Sequence, residues 1–315
     1  MLEQVKKRVD RVKEALEELR SLSADRSVIQ APVDYPAQKS LPMIEDDGLE
    51  HVRLISFNIQ VGNSVGRYLH YLTRSWQHVL PHSERIDNMD RISDVLSHFD
   101  VVALQEADGG SLRSGFVNQV KYLAEKGRFS FWHQQLNRDF GLLAQHGNGV
   151  LSRIVPLSVN NHALPSLIPG RGAMFIEYQT STDDPLLVVM MHLSLSQRAQ
   201  MNQLAYVKEQ IQKYKYVVLM GDLNCHAERL LDDSPLKETS LALATDGIST
   251  FPSWAPQKGL DHILISPNLR THAIDVLDHP ISDHLPVAID VSLPAGVSLT
   301  DRATKSSAET TEIHS

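Results

Sequence analysis

Short apolar runs, many of them β-branched and nearly unbroken, recur along the chain at 52–59, 101–105, 149–153, 174–178, 186–192, 216–220, 262–266 and 287–291. Runs of this length and make-up predict strands buried on both faces. Between some of them the period lengthens. Residues 83–98 bring Ile86, Met89, Ile92, Val95 and Leu96 to one face of a helix. Residues 196–214 do the same with Met201, Leu204, Val207 and Ile211, opening on Ser196 as a possible cap. Strands and helices intermix without strict alternation, which predicts an α/β fold of two packed sheets flanked by helices.

The ends differ from this body. Leu2, Val5, Val9, Val12, Leu16, Leu19 and Leu22 fall at spacings of three and four, an apolar seam that predicts an amphipathic helix over 1–23. A lone helix packed on the body is the simpler form; the heptads would also support a dimer through residues 2–22. Residues 24–50 lose periodicity, carry Pro32, Pro36 and Pro42, and read as a linker. The main domain is expected over 51–293 and a Ser/Thr-rich disordered tail over 294–315.

Composition narrows the class. Cys225 is the one cysteine of the 315 residues, so no disulfide forms within the chain. The first residues lack the apolar core of a secretory signal, and no run reaches the ~18 apolar residues of a membrane span. Together these predict a cytoplasmic protein without a transmembrane segment. The net charge of −8 asks for no nucleic-acid-binding face. An acidic protein can also bind an anionic substrate if a cation sits between them.

Polar residues then fall at telling places. Asn58 lies near the end of one run, Gln105-Glu106 follow another, His192 ends a third, and Asp222-Leu223-Asn224 a fourth. Leu260-Asp261-His262 opens a fifth run, and Ser282-Asp283-His284 precedes the last. Strand ends of packed sheets converge on a rim, so these groups can share one pocket. Glu106, Asp222, Asp261 and Asp283 cannot crowd there ionised without a cation. An oxygen-rich donor set suits Mg²⁺ or Mn²⁺. Carboxylates, a hard cation and histidines are what hydrolysis of a phosphate ester requires.

The blocks ISFNIQ, ALQEAD, MHLSLS, MGDLNCH, GLDHILIS and SDHLPV resemble the motifs of the endonuclease/exonuclease/phosphatase superfamily, in the family's order and over residues 55–287. The resemblance implies a four-layer α/β/β/α sandwich with its site at the rim of two sheets. It implies Glu106 as main metal ligand, with Asn58 beside it and Asp283 on the metal side. Asp222 would position or activate water, Asn224 steady the transition state, and His192 contact the scissile phosphate. His284 would bind phosphate, oriented by Asp261.

Other features are softer. Asn148, in the stretch His146-Gly147-Asn148-Gly149, and Arg171 are candidates for substrate contact, against ordinary loop roles. Residues 67–82 could form a substrate flap or an amphipathic helix on the body, and His78 and His82 share a metal-like spacing without further partners. Gly62-Asn63-Ser64-Val65-Gly66 matches the nucleophile elbow of serine hydrolases, but leaves Glu106, Asp222 and Asn224 unused. A catalytically silent binding protein is the other rival. The substrate is less legible. MMHLSLS is similar to the phosphatase, sphingomyelinase-like and general bacterial branches, not to the AP-endonuclease branch. Pro252-Ser253-Trp254-Ala255-Pro256 lacks the Cys and Arg of the inositol-phosphatase branch. A lipid headgroup or phosphorylated small molecule ranks above DNA or RNA.

Overall fold

The computed structural model describes residues 51–60, 82–139, 145–166 and 170–300. The expected N-terminal helix and dimer seam, the linker, Ser64, His78 and nearly all of the 67–82 flap lie outside them. So does the tail from 301 onward.

Among the described residues, twelve strands form two six-stranded sheets. The first has the order β11-β12-β1-β2-β4-β3, with β1 His51–Asn58, β2 Val101–Asp108, β3 Phe131–Asp139, β4 Gln145–Ser152, β11 Arg270–Val276 and β12 Val287–Ser292. The second runs β5-β6-β7-β8-β10-β9, with β5 Ser158–Ala163, β6 Gly172–Tyr178, β7 Leu186–His192, β8 Tyr216–Asp222, β9 Ala242–Leu243 and β10 Asp261–Ile265. Each sheet has one parallel pair at its centre, β1 with β2 and β7 with β8; every other pairing is antiparallel. The chain between parallel partners needs a crossover. Helix α1 (His82–Leu96) lies in the first connection, and α3 (Gln197–Ile211) in the second. Helices α2 (Gln119–Gly127) and α4 (Ala227–Asp232) are the other α-helices among the described residues.

Alternation along the strands makes the layers. Leu54, Val101, Ala103 and Val150 of the first sheet meet Met174, Ile176, Val188, Met190 and Val218 of the second in one inter-sheet core. The opposite faces carry the helices. Ile55, Phe57, Val102 and Leu104 pack under Met89, Ile92 and Leu96 of α1 and Leu123 of α2. Phe175, Leu187, Val189 and Leu219 pack under Leu204, Val207 and Ile211 of α3. This is the α/β/β/α sandwich. Truncating a fully buried leucine such as Leu54 in such a core costs about 2–5 kcal/mol.

Three expectations are corrected in detail. Ser196 occupies the N-cap position of α3, but its side chain makes no cap hydrogen bond. Asn148 sits within β4, which starts at Gln145 rather than 149. The body also continues past 293: Leu299 is buried in the inter-sheet core, Ser298 O accepts from Ser181 N–H, and Thr300 N–H donates to Gln179 O. Leu299 was hidden from sequence reading because a single leucine in a polar Ser/Thr stretch has no period. Among the described residues no helix is long and apolar enough to cross a membrane.

Candidate active site

Strand direction gathers the chemistry. The C-terminal ends of β1, β2, β7 and β8 and the N-terminal ends of β10 and β12 all open on one rim. Register sets the neighbours: Asn58 lies opposite Gln105, His192 opposite Asp222, and Asp222 opposite Asp261.

Asp222 is the hub. Its carboxylate is almost fully buried. Oδ2 accepts from Asn58 Nδ2 at 3.1 Å, with His192 Nε2 at 3.4 Å and His284 Nε2 at 3.8 Å. Oδ1 accepts the Asn224 backbone N–H at 3.1 Å. Burial pushes the Asp222 carboxyl up to about 7, helped by Asp261 and Glu106 and opposed by His284 and Asn58. Gly221, just before it, has φ +148°, and a Cβ there would lie 1.9 Å from Met191 O. Only glycine lets β8 approach β7 this closely.

His284 forms a buried dyad. Its Nδ1 lies 2.7 Å from Asp261 Oδ2. Burial pulls the imidazole down, but Asp261, Asp222 and Asp283 outweigh it and hold His284 up at about 10. The carboxylates thus favour the charged imidazole, and its Nε2 faces Asp222 across 3.8 Å. Asp261 Oδ2 also accepts from Thr250 Oγ1 at 2.5 Å. The Thr250 carbonyl takes the Leu285 N–H, and Phe251 lies 4.9 Å from the His284 ring. Ser253 holds the same loop, its N–H on Asp283 O and its Oγ on Ser282 O. Ser282 Oγ donates to Asn58 O at 2.6 Å, tying the loop to the end of β1. Thr250, Phe251 and Ser253 carry no motif; they sit in a loop, and only contacts reveal them.

Glu106 is aimed by backbone distortion. The β2–β4 register shifts between Leu104 and Ala107, and Glu106 takes φ 58°. A bulge re-aims a side chain that regular alternation would send elsewhere, and a left-handed glutamate costs about 1–3 kcal/mol. Asp283 is raised by burial and by Glu106, against His284. Glu106 thus presses electrostatically on both Asp283 and Asp222.

Asp222, Asp261 and His284 place one ligand atom each within 4.8 Å of one another, a spacing a metal could use. Within that trio Asp261 Oδ2 already faces His284 Nδ1 and Thr250 Oγ1. Glu106 and Asp283 add further oxygen donors, with Glu106 raising Asp283 and His284 lowering it, and oxygen donors of this kind suit a divalent cation. Asn58 stands between: Oδ1 accepts Gln60 N–H, while Nδ2 serves Asp222.

The remaining candidates line the other flank. Arg171 Nη1 lies 2.6 and 2.7 Å from the two ring nitrogens of His192, at least one of them too close to be a separate bond. Asn224 has φ 50° and gives one Nδ2 hydrogen to Leu193 O at 3.1 Å; its carbonyl takes Gln200 Nε2. Asn148, buried, donates Nδ2 to Gly172 O across the two sheets at 3.0 Å, and its Oδ1 has no protein partner.

Comparison with known proteins shows the family and the fold. The model of the Endonuclease/Exonuclease/phosphatase family matches residues 55–284. No curated protein sequence matches. Among solved structures, an endonuclease/exonuclease/phosphatase from Beutenbergia cavernae is 20% identical, with a TM-score of 0.57 over 78% of this chain and 72% of that one. A mannosyl-6-phosphatase from Bacteroides thetaiotaomicron is 17% identical, with a TM-score of 0.58 over 77% and 100%. A 2′,3′-cyclic phosphatase solved with adenosine-2′,3′-vanadate is 15% identical, with a TM-score of 0.57 over 79% and 97%. At these identities the likeness is one of fold.

Proposed function

The chain belongs to the endonuclease/exonuclease/phosphatase family, and from that membership we propose that it hydrolyses a phosphoester with water as nucleophile and a divalent metal ion as cofactor. One observation carries the reading: four carboxylates meet at the ends of buried strands, and the His284 imidazolium answers only part of their charge.

Glu106 and Asp283 would hold Mg²⁺ or Mn²⁺, with Asn58 beside them. Bound there, the ion supplies charge neutralisation at a phosphoryl oxygen. The chain's own residues do the rest. Asp222, poised near 7 and steadied by Asn58, accepts a proton from a water lying against it. His284 offers its Nε2–H to a phosphoryl oxygen in the gap before Asp222, and Asp261 keeps it charged and turned that way. His192 and Arg171 bring further donors to the opposite flank. Asn224 has a second amide hydrogen for the same oxygens.

A phosphorylated small molecule or lipid headgroup is the favoured substrate, because the net charge of −8 opposes long polyanions. The test is a panel of p-nitrophenyl phosphate, bis-p-nitrophenyl phosphate, inositol phosphates, sphingomyelin, abasic DNA and RNA with Mg²⁺ or Mn²⁺. Hydrolysis should appear with metal and vanish with EDTA. Turnover that persists in EDTA would sink the reading. Cleavage of DNA or RNA alone, falling steeply with salt, would move the protein to the nucleases.

A further inference from the structure

Two buried carboxylates lie opposite each other on β8 and β10, and they are held differently. Asp222 has both oxygens engaged, Oδ1 by the Asn224 N–H and Oδ2 by Asn58 Nδ2. Asp261 is held through one oxygen. Its Oδ2 accepts from His284 Nδ1 at 2.7 Å and from Thr250 Oγ1 at 2.5 Å, while the buried Oδ1 has no protein partner. The orientation of this carboxylate therefore depends on two donors, and one of them is the imidazole that it orients in turn. Within the dyad alone, ring and carboxylate could swing together without breaking their bond. Thr250 is the one fixed point outside the pair.

Its backbone suits that task. Thr250 is fully buried. Its N–H donates to Lys258 O at 2.9 Å, and Phe251 pairs with Lys258 in an antiparallel bridge. This anchors Thr250 to the chain that enters β10 at Asp261. Its carbonyl takes the Leu285 N–H at 2.9 Å, which anchors it beside His284 as well. One residue thus grips the backbone next to both members of the dyad and sets its hydroxyl on the oxygen between them. A threonine side chain is stiff at χ1, so the hydroxyl is aimed by the backbone. Phe251, next in the chain, sets its ring 4.9 Å from the imidazole. Ser253 and Ser282 brace the same loop through backbone carbonyls and touch neither the Asp261 carboxylate nor the His284 ring.

We propose that Thr250 is a positioning residue for this site: its hydroxyl fixes the Asp261 carboxylate, and through it the His284 ring, with Nε2 turned toward Asp222. The hydroxyl touches no substrate and moves no proton. A buried carboxylate that loses one of two donors is left short of a hydrogen bond and turns to recover it, and the ring follows. For its effect on turnover, the proposal rests on reading the site as a phosphoesterase; the hydrogen-bond chain does not.

The test reads both levels. In proton NMR of the full chain, the His284 Nδ1–H should give a far-downfield resonance, assigned by its absence from His284→Gln. Thr250→Val, which keeps the shape and removes the hydroxyl, should lose or broaden it, and Thr250→Ser should restore it. With bis-p-nitrophenyl phosphate and Mg²⁺, kcat of Thr250→Val should fall about tenfold with KM little changed, because the contact from His284 matters most in the transition state. Thr250→Ser should recover most of that loss. In an Asp261→Asn background Thr250→Val should lose nothing further. A second tenfold loss there would make Thr250 a general brace and overturn the proposal. So would a wild type without the resonance, or a valine variant that keeps it unchanged or keeps full kcat. Thr250→Ala is read in the same way if Thr250→Val does not fold. The resonance needs no turnover. A wild type that shows it and hydrolyses nothing counts against the phosphoesterase reading, and the resonance in the Thr250 variants still decides the positioning role.

Discussion

The two sheets build the same device and use it differently. Each has a central parallel pair joined through a helical connection, and each delivers polar residues to the rim from that pair. In the second sheet the delivery is in register: His192 faces Asp222, which faces Asp261. The distortion there is Gly221, a residue without a side chain. In the first sheet the distortion falls on the functional residue itself, Glu106, in a bulge and at positive φ. The charge differs in parallel. Asp222 and Asp261 both face His284, and Asn58 donates to Asp222, whereas Asp283 is lowered by His284 and raised by Glu106. On the function proposed above, one side would handle protons and the other a cation.

The largest test of that contrast compares Glu106→Ala with Asp222→Asn. Each should lower turnover about a thousandfold. Only Glu106→Ala should also abolish the upward shift in melting temperature that Mg²⁺ gives the wild type, since metal binding stabilises the folded state alone. If Asp222→Asn loses the shift and Glu106→Ala keeps it, the division between the sides is reversed.

The same contrast sets a pH dependence. His284 rises from 6.5 to about 10 on folding, so its stabilising contribution is full below 6.5 and is lost as pH climbs through about 10. Asp222 rises from 3.8 to about 7 through burial, so its share of stability is lost between those two values and adds no slope above about 7. Both slopes run downward. Without divalent ions, the denaturant midpoint should fall between about pH 7 and about pH 10. Asp261→Asn should flatten that fall by releasing His284. A wild-type midpoint that stays level over this interval contradicts the assignment.

What the chain's pattern made legible follows from the same architecture. The eight strands read from sequence are the eight interior strands; the four missed, β3, β5, β9 and β11, are the four sheet edges. An interior strand is buried on both faces, and VVALQEAD or LLVVMMH announces it. An edge strand such as RTHAIDV is half solvated, so its composition resembles a loop's. The site was legible for a related reason. A carboxylate or histidine at the end of an apolar run contrasts with its surroundings, whereas Thr250 and Ser253 lie among other polar loop residues. Conformation was not legible at all: nothing in ALQEAD foretells the bulge that turns Glu106.

The smallest expected effect is the most discriminating, because it separates stability from function at the two distorted positions. At Gly221 the backbone needs glycine, and the added methyl of Gly221→Ala would collide with Met191 O. That substitution should cost about 3 kcal/mol of folding stability. At Glu106 the reverse holds. The left-handed conformation suits glycine, and the removed carboxylate was repelled by Asp222 and Asp283. Glu106→Gly should therefore gain about 1 kcal/mol in the absence of metal, while losing activity as fully as Glu106→Ala. Denaturant unfolding of both variants measures the two signs. If Glu106→Gly destabilises the metal-free protein, the bulge is held by the glutamate and not imposed on it, and the glutamate is part of the scaffold that positions it.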